Sequence, residues 1–187
     1  DKRFFSHIGV DLKGIIRATY VNLKAGKIVQ GGSTITQQLA KNLFLTPERS
    51  FTRKLHELIL SFWLEMRFTK QQLLSIYLNR VYLGSGTYGV QAASEKYFNK
   101  KVEELNLYEC ALIASLLKAP SKYNPISNEK LSRIRTSKVL ENMAKNKLIT
   151  FRNVKEAKLN NKKYDKFTSA PKSTRYFVDW LLPRVKA

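Results

Sequence analysis

Between Phe51 and Phe68 the chain places two cations and two carboxylates at helical spacing: Arg53, Lys54, Glu57 and Glu65. At 100° per residue these four, with Ser61, fall within about 120° of arc. Two readings fit that stripe. It is an internal ladder of ion pairs, Arg53–Glu57 at i,i+4 and Lys54–Glu57 at i,i+3, or it is a carboxylate flanked by two cations on the floor of an anion-binding cleft. The other sides are apolar: Phe51, Leu55, Leu58, Phe62 and Met66 share a face, and Leu60, Trp63 and Leu64 extend it. A helix apolar nearly all round is expected to be buried, with its polar stripe turned to a cleft or to buried partners.

A second segment with chemical potential runs from Gly31 to Asn42. Ile35, Leu39 and Leu43 lie on one side of the helix it predicts, and Thr34, Gln37, Gln38 and Lys41 on the other. Its start, Gly31-Gly32-Ser33-Thr34, offers free backbone N–H groups, two hydroxyls and a positive dipole end, which suit a phosphate. The same four residues also make an ordinary capped turn. The opening segment, Asp1 to Asp11, gathers acids, aromatics and His7, which is either a structural hydrogen-bonder or a catalytic group. His56, among apolar neighbours, reads as structural. Two His and one Cys exclude a His- or Cys-based metal cluster. Cys110, inside an apolar run, is expected to be a buried thiol.

The elements that must hold these groups are mainly helical, and strand-like alternation is nearly absent. Asp11 caps a helix to about Ala25, ended by Gly26. Ser33 or Thr34 caps the next, to about Phe44, and residues 45–50, with Pro47, form a loop. Helices follow at about Phe51–Phe68 and, capped by Thr69, to Arg80. A Gly-rich turn at Gly84–Thr87 leads to a helix near Tyr88–Phe98. Asn106 or Leu107 opens an apolar helix ending near Lys118, and two more helices cover about Asn128–Asn146 and Thr150–Leu159. Residues 1–160 thus read as one domain, and the Lys-rich residues 161–187 as an extended linker.

With 34 Lys and Arg against 14 Asp and Glu, the 187-residue chain carries a net charge of +20, a field that attracts phosphates, nucleic acid or an anionic membrane surface. A Lys-rich solvated surface accounts for part of it. No apolar run approaches the roughly 20 residues that a membrane-spanning helix needs.

Read together, these segments resemble the family 51 peptidoglycan glycosyltransferases, the transglycosylases of bifunctional class A penicillin-binding proteins and of monofunctional enzymes. The first motif of that family resembles Glu-Asp-x-x-Phe-x-x-His-x-Gly, of which Asp1, Phe4, His7 and Gly9 are present. The second matches Gly31 through Asn42 without a gap. The third matches Arg53, Lys54, Glu57 and the later Glu65, with Ser61 where Ala is usual. The fourth runs from Ile76-Tyr77-Leu78-Asn79 through Gly84 to Tyr88-Gly89-Val90. The fifth runs from Leu107 through Glu109, Ala111 and Lys118 to Pro120, then Tyr123-Asn124-Pro125.

The resemblance implies a mainly α, lysozyme-like, two-lobed helical fold with a deep substrate cleft. It implies lipid II and a growing lipid-linked glycan chain as substrates, and moenomycin-type inhibitors as ligands. The family's general base would be a Glu immediately before Asp1, outside this chain, which leaves Asp1 and Glu57 as the carboxylates here to consider for catalysis. Arg49, Arg53, Lys54 and Lys41 become candidate pyrophosphate contacts. Glu57 would orient those cations or bind through a divalent metal, Mg or Mn. Ser33, Thr34, Gln38 and Asn42 would hold sugar and phosphate oxygens, and Arg17 the acceptor's pyrophosphate. No organic cofactor is implied. The location implied is the outer face of the cytoplasmic membrane, with a transmembrane helix upstream and a transpeptidase domain downstream.

Two other classes fit less well. A nucleic-acid module would interleave exposed aromatics with its cations along one face, whereas these aromatics fall on apolar faces. A glycan-cleaving lysozyme needs a protonated acid for its leaving group, and a carboxylate between Arg53 and Lys54 is the wrong group to donate a proton.

Overall fold

Side-chain caps set where the helices begin. In the computed structural model, which describes residues 1–46 and 50–160, Asp11 accepts from Gly14 N at 2.9 Å and opens α1 (Leu12–Ala25). Gly26, at φ +61°, ends it. Thr34, rather than Ser33, caps α2 (Ile35–Phe44), in a reciprocal pair with Gln37. Ser50 caps α3 (Phe51–Arg67), and Thr69 caps α4 (Lys70–Arg80), again in a reciprocal pair, with Gln72.

The chain divides into two compact units, residues 1–81 and residues 82 onward. In the first unit α2 packs against α3 and α4. Phe4, Leu39, Ala40, Leu64, Leu73 and Tyr77 are its buried hydrophobic centre. Helix α1 turns only its small residues, Gly14 and Ala18, inward. Asn22 ties α1 to the loop that follows, accepting from Val29 N and Gln30 N and donating to Gln30 O, all at 2.9 Å. Gly32 lets that loop approach Ile15, whose Cα would lie 3.3 Å from a Cβ there.

The second unit opens with a hairpin that the sequence pattern did not reveal, β1 (Tyr82–Gly84) antiparallel to β2 (Thr87–Tyr88). Strands of three and two residues are too short to show alternation. Then come α5 (Val90–Phe98), a 3-10 turn at Val102–Glu104, α6 (Leu107–Leu116), α7 (Glu129–Lys145) and α8 (Phe151–Asn160). Helix α6 forms the centre of this unit. Its Tyr108, Ala111, Leu112, Ile113 and Leu116 are buried, and it packs on α7. The described residues therefore form a mainly helical fold of eight α-helices.

Two expectations are corrected. Helix α3 is not buried all round. Its polar line Glu57, Ser61, with Leu64, faces inward, while Phe51, Leu55, Ile59, Phe62 and Met66 are exposed. A helical wheel separates two faces without saying which one the neighbours cover. Here α2 and α4 cover the side where cations neutralise the carboxylates. Cys110 is exposed, on the outward side of α6. Burial of part of its surface and the Glu109 carboxylate still raise the thiol pKa. Arg49 and the expected linker at residues 161–187 lie outside the described residues.

Candidate functional site

Cap geometry and helix phase converge on one cluster in the first unit. Lys54, one turn into α3, donates from Nζ to Ser33 Oγ at 2.9 Å, just ahead of the Thr34 cap of α2. The same ammonium bonds Glu57 Oε1, and Arg53 Nη1 donates to Glu57 Oε2 at 3.3 Å. The Glu57 side chain is 4% exposed. The i,i+3 and i,i+4 pairs of the ladder reading therefore form, and they form beside the Gly31–Thr34 turn. Arg53 Nε is buried with no hydrogen-bond partner, so the guanidinium has donor capacity that Glu57 does not use.

A second carboxylate, Glu65, lies further along α3. Its Oε1 accepts from Thr36 Oγ1 and from Lys70 Nζ, both at 2.6 Å. That ammonium stands 4.7 Å from the centre of the buried Phe4 ring. Lys70 and Thr36 escaped the sequence reading because this pairing joins three helices. Gln38 is likewise fixed from afar, its Oε1 accepting from the Tyr77 hydroxyl at 3.0 Å.

Residues 1–9 are fastened to these helices at several points. The Asp1 carboxylate accepts from Ile35 N at 3.1 Å and contacts His7 Nε2 at 3.0 Å. Gly9 O accepts from Thr34 Oγ1 at 2.6 Å. Gly9, at φ +71°, leaves no room for a Cβ, which would meet Ser61 Oγ at 3.2 Å and Ser61 backbone at 3.3 Å. Ser61 fits where Ala is usual because its hydroxyl donates to Leu58 O at 2.7 Å. Arg17 is exposed on α1. Lys41 and Asn42 are exposed on α2, and His56 is exposed on α3.

The fourth motif begins in α4 of the first unit, and its remainder, with the fifth motif, serves structure within the second unit. Asn124, buried at the Tyr123-Asn124-Pro125 turn, donates to Ser85 Oγ at 2.6 Å and accepts from Ile126 N at 2.9 Å. Tyr97 OH donates to Leu83 O at 2.8 Å. Glu109, wholly buried, accepts from Lys100 Nζ at 2.7 Å and from Asn106 N at 2.8 Å.

A metal held by Glu57 finds no supporting donors. Each Glu57 oxygen already accepts from a cation, and the described residues contain no group of three or more His, Cys, Asp or Glu able to hold an ion. The donor set does not fit a protein-held metal.

Residues 1–144 match the transglycosylase family, and the chain belongs to it: a peptidoglycan glycosyltransferase domain. It is 48% identical over 188 residues to penicillin-binding protein 1A of Aquifex aeolicus, covering 100% of this chain and 25% of that protein. Against penicillin-binding protein 1A of Neisseria flavescens it is 44% identical over 167 residues, 89% of this chain and 21% of that protein. A crystal structure of penicillin-binding protein 1A from Haemophilus influenzae aligns with 80% of this chain and 19% of its own, at 31% identity and a TM-score of 0.47. The chain thus spans about a quarter or less of the length of these relatives.

Proposed function

We propose that this domain polymerises lipid II into peptidoglycan glycan strands, releasing undecaprenyl pyrophosphate. The observation that carries the reading is the bridge from Lys54 to both Ser33 and Glu57, with Arg53 on the other Glu57 oxygen. It sets two cations, a hydroxyl and a helix N-terminus beside one another, which is what a pyrophosphate requires.

The acceptor's GlcNAc 4-hydroxyl attacks C1 of the MurNAc at the reducing end of the growing chain. The C1–O4 bond forms as the bond from C1 to the pyrophosphate oxygen breaks, inverting α to β. The hydroxyl proton passes to a carboxylate, which by the family motif is the Glu encoded just before Asp1. The leaving group carries its own charge and needs cations rather than a proton. Arg53, Lys54, Lys41 and Arg49 supply them on the donor side, and Arg17 serves the acceptor's pyrophosphate. Glu57 orients Arg53 and Lys54, while Ser33, Thr34, Gln38 and Asn42 hold sugar and phosphate oxygens. No organic cofactor enters these steps. The lysozyme-like, two-lobed form with a deep cleft, and the boundary near residue 160, belong to this same reading.

The substrate's lipid places the domain at the outer face of the cytoplasmic membrane. No helix among the described residues is long and apolar enough to cross a membrane. Helix α1 supports a surface contact: Leu12, Ile16, Tyr20 and Leu23 are exposed on one face, and by helical phase Lys13, Arg17 and Lys24 flank it. An upstream membrane anchor and a downstream transpeptidase domain complete the proposed protein.

The test compares the 187-residue chain with one extended upstream through the encoded residues. Both are expected to bind moenomycin, and the extended chain alone to polymerise lipid II. Equal polymerisation by both would move the base to Asp1 or Glu57, and none by either would remove the assignment.

A further inference from the structure

Two ionisable side chains of the first segment, those of Asp1 and His7, face each other rather than outward. The Asp1 side chain is 5% exposed and that of His7 is 8% exposed. One carboxylate oxygen, Oδ2, takes both the His7 Nε2 contact at 3.0 Å and the Ile35 N–H at 3.1 Å; Oδ1 lies 3.2 Å from the same Nε2. A carboxylate only accepts, so Nε2 carries the hydrogen. His7 Nδ1 is buried with no partner, which suits a bare lone pair better than a second N–H.

His7 is itself held in place. Its backbone N–H donates to Arg3 O at 3.2 Å, and its ring meets the Phe4 ring edge-on at 6.2 Å. Ile35 opens α2, so the far end of this chain of contacts is the element preceded by Ser33 and Thr34.

We propose that Asp1 and His7 act as a positioning pair, latching the start of the first motif to the first turn of α2 so that the residue encoded before Asp1 is presented to the acceptor hydroxyl. This rests on the function proposed above. A base needs an oxygen facing the substrate, whereas the Asp1 carboxylate is turned inward and occupied. A residue joined to Asp1 by a peptide bond is confined by the fastening of that carboxylate to His7 and to Ile35 N.

The pair explains why an acid and a His six residues apart belong to one motif. It also separates two roles that sequence alone leaves merged at Asp1. An Asn at this position keeps an oxygen able to accept from both His7 Nε2–H and Ile35 N–H, but cannot take a proton from a sugar hydroxyl. Conversely, a Leu at position 7 keeps bulk and removes the donor.

The experiment uses the full encoded protein, with lipid II polymerisation rates, moenomycin Kd and melting temperature measured together. Asp1→Ala and His7→Leu are expected to lower kcat by about 10- to 100-fold, the cost of misplacing a reacting group. KM and moenomycin Kd should move by less than about 3-fold, because the cations that hold pyrophosphate are untouched. Asp1→Asn should recover most of the rate that Asp1→Ala loses, and the Asp1→Ala/His7→Leu pair should be no slower than the worse single variant. If His7→Leu does not fold, Asp1→Asn against Asp1→Ala decides alone.

A loss of about 10²-fold or more in Asp1→Asn would make Asp1 a base and overturn the proposal. So would folded Asp1→Ala and His7→Leu with unaltered kcat, or losses matched by weaker moenomycin binding. Absence of polymerisation in the unaltered protein would instead remove the proposed function, and this pairing with it.

Discussion

Lys54 Nζ lies 2.9 Å from Ser33 Oγ, a bond between residues 21 positions apart that fastens the start of α3 to the turn ahead of α2. An ammonium in that place can exchange the Ser33 hydroxyl for a phosphate oxygen without leaving Glu57. Lys54→Ala and Glu57→Gln are therefore expected to lower lipid II polymerisation by about 10²-fold or more, measured as initial rates in a full-length protein. Near-normal rates in both folded variants would reduce the stripe to an internal salt-bridge ladder.

Thr34 uses its hydroxyl twice, accepting from Gln37 N and donating to Gly9 O, whereas Thr69 of α4 has only the capping bond in the described structure. Loss of a cap costs about 1 kcal/mol, and an abandoned buried carbonyl adds about 1–3 kcal/mol. Urea denaturation should therefore show Thr34→Ala more destabilising than Thr69→Ala. Equal midpoints would mean that the Gly9 contact contributes nothing.

Gly9→Ala should destabilise by about 1–3 kcal/mol, because φ +71° is unfavourable for a side chain and the new Cβ meets Ser61. Ser61→Ala in the same chain should restore little, since Ser61 backbone atoms at 3.3 Å crowd that Cβ as closely as the hydroxyl does. Full recovery of the melting temperature in the double variant would contradict this.

Burial, and after it the Lys70 ammonium, hold the His7 pKa below its ordinary value, and Arg3 acts in the same direction. Glu65 and Asp11 act against that shift, and the Asp1 carboxylate faces the ring directly. The unfolded chain therefore takes up the proton first, at about pH 6.5. His7 leaves stability unchanged above that pH and subtracts from it as pH falls, until the folded pKa is passed. Urea midpoints from pH 8 to pH 5 should decline less in His7→Gln than in the unaltered chain, and an equal decline in both would remove His7 as its source.

Much of this was legible because it is local. Asp11, Thr69, Asn106 and Asn128 announce the starts of α1, α4, α6 and α7 by a side chain bonding three residues on, and Arg53, Lys54 and Glu57 pair within one turn of α3. What stayed hidden depends on distant partners. The Asp1 bond to Ile35 N spans 34 residues and Thr36–Glu65 spans 29. The facing of α3 likewise depends on which neighbours cover it. The short hairpin at Tyr82–Tyr88 is secured by Asn124, 39 residues beyond Ser85.

The outward line of α3, with Phe51 at 97% exposure and Met66 at 74%, sets the colloidal behaviour of the domain. At low ionic strength a charge of +20 keeps copies apart. Added salt shortens the reach of that repulsion to about 8 Å near physiological strength and leaves the apolar ridge unopposed. Solubility should then fall as salt rises, and a mild detergent that covers the ridge should remove the salt dependence.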